Sequence, residues 1–292
     1  MSQIEQPGAS RATMQSDFSG IEGSLGIYRL LNFCSPAYII SRLARFLPDR
    51  YLPTQIFLDS LKRPAYAFGI YTAAIQARLL GYESISVIEF GVAGGAGLLS
   101  MELLARRIGA YFDVTIEVHG FDSGVGLPKP ADHRDHPYLW REGDFQMDRD
   151  RLSSRLTGAH LWLGPVAETL PRFTGSPVGF VSFDLDFYSS TIDALQLFEM
   201  PPATRLPRVT CYFDDILLPN YASYTEKAGE LLAIDEFNRD HSSMALSPLR
   251  GLKYTKPLKA PWHEQTYVLH DFGHEKYRHE IQQEQDRQRR LN

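Results

Sequence analysis

The sequence Ser84-Ile-Ser-Val-Ile-Glu-Phe-Gly-Val-Ala-Gly-Gly-Ala-Gly97 carries the strongest structural signal in this chain. An apolar run of strand-forming side chains ends at Phe90, four glycines interrupt it, and an apolar pattern at helical spacing begins at Leu98. We predict a buried strand, a tight loop and a helix over 98–108. Such a loop lets the backbone approach a ligand, and the free N–H groups of the helix favour a carboxylate or phosphate. A turn that serves packing alone has the same pattern and is the alternative.

Composition limits the class of protein and its partners. The chain has 292 residues, 43% of them hydrophobic, which is enough for one sizeable α/β domain with additions. Its 30 Lys and Arg against 35 Asp and Glu give a net charge of -5, so no nucleic acid partner is expected. Two cysteines, Cys34 and Cys211, form neither a disulfide framework nor a zinc-spaced pair. We find no secretion signal in 1–20 and no run near the roughly 18 apolar residues of a membrane span, and expect a cytoplasmic protein.

The organisation of the chain is predicted from shifts in composition and periodicity. We divide it into a flexible leader, an N-terminal helical cap, a main α/β domain and a charged tail or helix, at residues 1–23, 24–82, 83–272 and 273–292. In the cap, helical spacing predicts one helix around a break at Pro36 and a second that ends at Gly81. Arg42 and Arg45 give the first helix a basic side. This pattern also suits a membrane surface, but packing beside a core is its commoner cause.

A second strand is predicted over 114–122 and ends in Asp122. In dinucleotide-binding sheets the acid at this position hydrogen-bonds ribose hydroxyls, which makes Asp122 our candidate for that contact. The sequence from Asp122 to Gly124 also suits a simple turn, and that interpretation is the alternative. The later predictions are a helix over 224–238 and further strands at 160–164, 179–184, 209–214, 244–254 and 266–270.

Four aspartates follow two of these strands, Asp184 with Asp186 and Asp214 with Asp215. The carboxyl ends of parallel strands share one edge of a sheet, where open α/β folds bind their ligands. Clustered carboxylates repel one another unless a cation compensates, and oxygen-only ligands favour Mg²⁺, with Mn²⁺ or Ca²⁺ as alternatives. Capping of the following helices by the same acids is the other interpretation.

Residues 123–150 form a long segment with several glycines and prolines and with two histidines, His133 and His136. Loops of this length are usually functional or disordered. The basic and aromatic side chains around Trp140 favour a lid over a substrate, and a solvated loop with one anchoring tryptophan is the alternative. Either histidine has the chemistry of a general base near neutral pH.

Several motifs occur together in a fixed order. Their residues are Glu89, Gly91, Val92, Gly94 and Gly95, then Phe121, Asp122, Ser123, Gly126, Leu127 and Pro128, then Glu168 to Pro171, then Asp184, Asp186, Tyr188, Ser190 and Thr191, and finally Asp214 and Asp215. On these residues the chain resembles the class I S-adenosylmethionine-dependent methyltransferases and, within them, the TylF-type macrocin O-methyltransferase family. The resemblance implies a Rossmann-like α/β fold, a seven-stranded, mostly parallel sheet with helices on both faces and extra N-terminal helices.

The resemblance also implies roles for the site residues. Those implied to bind the cofactor S-adenosylmethionine are Glu89, Gly91, Val92, Gly94, Gly95, Asp122, Ser123 and Gly164. Among them, Glu89 would lie near the amino group and Asp122 on the ribose. The implied Mg²⁺ ligands are Asp184, Asp214 and Asp215. The implied catalytic residues are Asp184 and a base, His133 or His136.

We therefore expect an O-methyltransferase that acts on a hydroxyl of a small molecule, such as a sugar or a natural product. A metal on the acceptor oxygen would lower its pKa and align it with the sulfonium methyl. An NAD(P)-dependent oxidoreductase is one alternative, because a glycine loop and a strand-end acid suit it too, although the later acids would have no task. A non-catalytic cofactor-binding or assembly protein is another. Each of these three classes of protein is compatible with a homo-oligomer.

Overall fold

A seven-stranded sheet forms the centre of the computed structural model, which describes residues 35–217 and 225–281. Its strands are β1 Ser84–Phe90, β2 Thr115–Asp122, β3 His160–Leu163, β4 Val178–Phe183, β5 Arg205–Phe213, β6 Met244–Pro248 and β7 Thr266–Asp271. Their order is β3-β2-β1-β4-β5-β7-β6, with β1 to β5 parallel and β7 antiparallel to both its neighbours. The predicted Rossmann-like fold is confirmed. The strand order reverses between β1 and β4, the place where open α/β sheets bind ligands.

Helices cover both faces of this sheet. They are α1 Pro36–Ala44, α2 Leu52–Phe57, α3 Pro64–Leu79, α4 Ala96–Phe112, α5 Arg149–Ser153, α6 Val166–Thr169, α7 Tyr188–Leu195, α8 Gly229–Asp240 and α9 Leu252–Thr255. One core cluster joins α3 and α4 to the sheet, and a second joins α7 and α8 to its opposite face. Because both faces are covered, the parallel strands are apolar along most of their length.

Strand β1 shows how alternation sorts residues between the two faces. Ile85 and Val87 belong to the core cluster beside α3 and α4, whereas Ile88 and Phe90 belong to the opposite cluster. Since side chains alternate along a strand, Glu89 faces α3 and α4 although it is charged. The close approach of the Glu89 carboxylate to Gly97, in the first turn of α4, agrees with this placement.

Helix α3 packs directly on the sheet, although the sequence analysis assigned it to an N-terminal cap. Its residues Ile70, Ala73 and Ala74 are buried in the core beside β4 and β5. Gly69 lets the helix approach β4 closely, because a Cβ there would lie 2.2 Å from the ring of Phe180. The helix leads into β1 and runs antiparallel to it. The first turn of α3 therefore lies at the carboxyl edge of the sheet.

Several predicted boundaries differ from the structure. The helix predicted over 224–238 begins at Gly229, and the strand predicted from Val209 begins at Arg205, whose guanidinium is buried against Asp271 at 2.6 Å. The strand predicted over 244–254 ends at Pro248, and α9 follows it. The predicted leader, the first part of the cap and residues 282–292 of the tail lie outside the described residues. Within the described ranges, no helix is long and apolar enough to cross a membrane.

Candidate active site

Four phenylalanines form a row across the sheet, one residue before its carboxyl edge. Phe90 pairs with Phe121 on one side and with Phe183 on the other, and Phe183 pairs with Phe213. Successive ring centroids along the row lie 5.0, 5.6 and 4.5 Å apart, and the rings are fully buried. The residues that follow these rings in the sequence are Gly91, Asp122, Asp184 and Asp214. The row therefore sets three carboxylates at the same height on one edge of the sheet.

Asp122 holds the glycine loop in place. Its Oδ2 accepts hydrogen bonds from the backbone N–H groups of Val92 at 2.9 Å and Ala93 at 2.8 Å. Its Oδ1 accepts one from the N–H of Gly124 at 2.6 Å, so the turn considered as the alternative role of Asp122 is present. At Gly91 φ is +83°, and a Cβ there would lie 1.7 Å from the backbone carbonyl oxygen of Asp184. Only glycine fits at this position.

A cavity of about 580 Å³ opens above this edge of the sheet, within the size range of small-molecule sites. It is lined by every residue predicted to bind the cofactor, namely Glu89, Gly91, Val92, Gly94, Gly95, Asp122, Ser123 and Gly164. It is also lined by the three predicted metal ligands, Asp184, Asp214 and Asp215. The structure thus brings the two predicted sets of residues into one space.

Glu89 lies at the cavity with half of its carboxylate unsatisfied. The side chain is 1% exposed, and its Oε1 accepts a hydrogen bond from the Tyr66 hydroxyl at 2.6 Å. That hydroxyl accepts a hydrogen bond from Ser182 at 2.9 Å. Oε2 of Glu89 is buried and has no partner in the described part of the chain. Burial raises the pKa of Glu89 to about 7, although the Tyr66 hydrogen bond lowers it. A buried, unpaired carboxylate oxygen at a cavity is suited to a donor on a ligand.

Acidic residues form the wall of the cavity at the ends of β4 and β5. Asp215 Oδ2 accepts a hydrogen bond from the backbone N–H of Asp186 at 3.0 Å. Asp214 Oδ1 accepts one from the Tyr212 hydroxyl at 2.6 Å. Burial, followed by the charges of Asp214 and Asp215, raises the pKa of Asp184 well above its usual range. The wall therefore holds like charges close together in a poorly hydrated place.

The same repulsion extends to neighbouring acids. Burial and then the charge of Asp184 raise the pKa of Asp186 to about 7. The buried Glu230 accepts a hydrogen bond from the backbone N–H of Asp215 at 3.1 Å, and burial raises its pKa strongly. A cation would relieve this repulsion. Residues 35–217 and 225–281 nevertheless contain no group of three or more His, Cys, Asp or Glu side chains placed to hold a metal ion. The predicted Mg²⁺ site stays a prediction.

Arg63 reaches the cavity from the start of α3. Its backbone, at φ 48° and ψ 71°, lies in the left-handed region, which costs a residue other than glycine about 1 kcal/mol or more. Its Nη1 donates a long hydrogen bond to the Tyr66 hydroxyl at 3.5 Å, and its Cζ lies 5.1 Å from the centre of the Tyr66 ring. Burial lowers the pKa of Arg63, but its electrostatic interactions with Tyr66, Glu89 and the aspartates of the cavity outweigh that effect and raise it.

Neither histidine predicted as a base lines the cavity. The side chain of His133 is 85% exposed and lies 3.9 Å from Asp132. His136 is fully buried, with Nδ1 3.1 Å from the Tyr138 hydroxyl. Its Nε2 faces Gly229 at the start of α8, where a Cβ would lie 2.5 Å away. His136 thus packs the loop against α8, and the structure brings neither histidine to the acidic wall.

The loop over 123–150 is fastened beside the cavity. Asp135 is 1% exposed, and its Oδ1 accepts a hydrogen bond from the Ser189 N–H at 2.8 Å. Its Oδ2 accepts hydrogen bonds from the Ser189 hydroxyl at 3.0 Å and the Ala131 N–H at 2.8 Å. Trp140 and Phe145 line the cavity from this loop, with ring centroids 5.4 Å apart. The loop forms part of the wall, and its movement as a lid stays a prediction.

Arg63, Tyr66 and Glu230 are parts of the site that belong to none of the sequence motifs. The order of the elements could have indicated Arg63 and Tyr66, because a helix that leads antiparallel into β1 must begin beside the glycine loop. The same reasoning applies to Glu230, which lies in the first turn of α8 and contacts the end of β5.

Comparison with known proteins gave weak similarities only. No family model matches the chain, and no curated protein matches it, so the resemblance to the TylF-type family is not confirmed. Among solved structures, CalS11, a calicheamicin methyltransferase, is 19% identical with a TM-score of 0.48, over 81% of this chain and 93% of its own. The O-methyltransferase NovP is 16% identical with a TM-score of 0.49, over 71% and 79%.

A third similar structure is the O-methyltransferase TomG from Streptomyces achromogenes, solved in complex with S-adenosylmethionine. It is 14% identical with a TM-score of 0.39, over 79% of this chain and 94% of its own. Similarities at this level support no conclusion about function. The assignment of the fold therefore depends on the strand order, and the function is inferred from the residues that line the cavity.

Proposed function

We propose that the protein is an S-adenosylmethionine-dependent O-methyltransferase of class I, TylF-type, which acts on a hydroxyl of a small molecule such as a sugar or natural product. The observation that supports it most is that one cavity joins the glycine loop and the unpaired Glu89 Oε2 to the acidic wall. A methyl donor and a hydroxylated acceptor need such neighbouring sites. Nicotinamide binding would use the glycine loop but would give the acidic wall no task.

The residues at the ends of β1, β2 and β3 fit the proposed cofactor. Glu89 Oε2 needs a donor, and the α-ammonium group of S-adenosylmethionine supplies a charged one. The carboxylate of Asp122 has about four lone-pair sites, and its three backbone donors leave one of them able to accept from a ribose hydroxyl. The absence of a side chain at Gly94, which has no atom within 4 Å of its Cβ position, leaves open space over the loop.

The acidic wall suits a divalent cation by its donor chemistry, and Asp184, Asp214 and Asp215 are the proposed ligands, although the described side chains are not placed around a common point and would have to move to hold one. Mg²⁺ bound there would supply positive charge to an acceptor oxygen and offset the repulsion between the carboxylates. The chain itself holds the acceptor opposite the donor, which is the main requirement of a methyl transfer. S-adenosylmethionine would supply an activated methyl group on its sulfonium, and the acceptor hydroxyl would give up its proton to a carboxylate of the wall, for which we propose Asp184.

Calorimetry with S-adenosylmethionine, S-adenosylhomocysteine and NAD, followed by a methyl-transfer assay on a panel of hydroxylated sugars and polyketides, tests the proposal. We expect binding of both adenosyl ligands, no binding of NAD, and turnover that is lost in EDTA. Binding of NAD alone would favour an oxidoreductase. Asp214→Asn should abolish turnover and spare cofactor binding, whereas Asp235→Asn on the exposed side of α8 should change neither. Turnover that survives in EDTA would remove the metal from the mechanism.

A further inference from the structure

We propose that Arg63 binds the α-carboxylate of the cofactor, so that Arg63 and Glu89 together recognise a zwitterionic amino acid group. This inference rests on the proposed function and extends it to a residue that no motif identified. Arg63 and Glu89 both line the cavity and carry opposite charges. An α-amino acid carries its ammonium and carboxylate groups on one carbon, so a protein that recognises it needs an acid and a base placed side by side.

Tyr66 sets the spacing of these two charges. Its hydroxyl donates to Glu89 Oε1 at 2.6 Å and accepts from Arg63 Nη1 at 3.5 Å. One phenol oxygen therefore bridges the guanidinium and the carboxylate, while a direct ion pair between them is absent from the described residues. Ser182 donates to the same oxygen at 2.9 Å and fixes its position from β4. The two charges are close enough for one small ligand group to contact both.

The guanidinium of Arg63 has donors to spare. Arginine carries five N–H donors, and within residues 35–217 and 225–281 that of Arg63 makes a single, long hydrogen bond. Two cations with buried side chains are, by contrast, paired at short distance: Arg205 with Asp271 at 2.6 Å and Lys256 with Asp59 at 2.7 Å. Arg63 stays unpaired in this way although acids surround the cavity. Its free donors match a ligand carboxylate, which guanidinium groups bind with two parallel hydrogen bonds.

Glu89 provides a second observation, independent of Arg63, that favours an amino acid ligand. Its Oε2 is buried without a protein donor in the described residues, and Glu89 lines the same cavity. An anion bound by Arg63 alone would meet the negative wall around it, whereas a zwitterion brings an ammonium to Glu89 at the same time. The pair therefore selects an amino acid group over a simple anion such as phosphate or acetate.

The test compares S-adenosylhomocysteine with its decarboxylated analogue, which keeps the amino group and the adenosine, by calorimetry on the full chain. Hydrogen bonds to charged groups contribute enough that Arg63→Gln should weaken S-adenosylhomocysteine binding by about 10- to 100-fold. The same substitution should change binding of the decarboxylated analogue by less than about twofold. Arg63→Lys should give an intermediate loss. Arg78→Gln, at the opposite end of the same helix, is the matched control and should leave both affinities unchanged.

The outcomes separate this inference from the proposed function. Failure of the wild-type protein to bind S-adenosylhomocysteine would overturn both. Binding by the wild-type protein with an equal loss for both ligands in Arg63→Gln would overturn the Arg63 assignment alone, as would no loss for either. Should Arg63→Gln fail to fold, as judged by its thermal unfolding, the wild-type protein must still bind the decarboxylated analogue at least about tenfold more weakly, and equal affinity would refute the assignment.

Discussion

The two halves of the cavity start from the same dipeptide and use its carboxylate in opposite ways. In the cofactor half, formed by the ends of β1, β2 and β3, Asp122 follows Phe121 and accepts hydrogen bonds from three backbone N–H groups. In the acid half, formed by the ends of β4 and β5, Asp184 follows Phe183, and its carboxylate accepts none from the described residues. The same Phe-Asp sequence thus occurs at strand ends in both halves, at the same height.

The difference shows that the residues that follow each strand set the role of the aspartate at its end. After Asp122 the backbone turns back at Gly124, and the glycine loop lies within reach, so the carboxylate becomes part of the scaffold. Among the charged groups, Asp214 and Asp215 act most strongly on Asp184, and burial together with their charges disfavours its ionised form. The glycine loop of the cofactor half is already held by hydrogen bonds within the protein, whereas the acid half would be stabilised by a bound cation.

The largest effect is expected where the two halves touch, at Gly91. Gly91→Ala would force a Cβ to within 1.7 Å of the Asp184 carbonyl oxygen at a φ of +83°. We expect the free energy of unfolding to fall by about 3 kcal/mol or more, measured by urea denaturation. Gly94→Ala, with nothing within 4 Å, is the control and should stay within about 0.5 kcal/mol of the wild-type protein. Equal losses would mean that the halves do not meet at Gly91.

The same substitution in each half should change stability in opposite directions. Asp122→Asn places an amide N–H₂ group against backbone donors and should destabilise the protein by about 1–3 kcal/mol. Asp184→Asn removes a carboxyl group whose ionised form is disfavoured by burial and by neighbouring acids, and in EDTA at high pH, where that group must ionise, it should stabilise the metal-free protein by about 1 kcal/mol. Urea denaturation of both variants at one pH provides the comparison. A loss of stability in both would show that the acid half is not under repulsion.

Cofactor binding should depend on pH through Glu89. Burial raises its pKa to about 7 in the folded protein, so it is largely protonated at pH 5.5. An ammonium ligand requires the ionised form, and affinity for S-adenosylhomocysteine should therefore rise about tenfold per pH unit from pH 5.5 and level off above about 7. In the free protein the same raised pKa makes stability fall as pH rises from about 4.5 to about 7.

The matched variant for this dependence is Glu89→Gln, which keeps the size of the side chain and cannot titrate. Its affinity for S-adenosylhomocysteine should be lower than that of the wild-type protein at pH 7 and should not vary between pH 5.5 and 7. A wild-type titration that is equally flat would place the amino group of the ligand away from Glu89.

The strand–loop–helix unit around Gly91 and the acids at the strand ends could be predicted because they depend on local patterns. Alternating apolar residues, glycine punctuation and the repeated Phe-Asp ends are all visible in the chain. Arg63 and Tyr66 could not be found in this way, since their role arises from the antiparallel placement of α3 beside β1. The true partners of Asp122 and the positions of His133 and His136 also depend on tertiary packing. Charge and residue type identified these side chains but not the direction in which they point.

The most direct test of the central claim, that one cavity holds a methyl donor and a cation side by side, is a crystal structure with S-adenosylhomocysteine and Mn²⁺, collected for anomalous scattering. We predict the amino acid end of the ligand beside Glu89 and an anomalous peak among Asp184, Asp214 and Asp215. A ligand bound elsewhere, or Mn²⁺ absent from the acid half while the ligand is present, would contradict it.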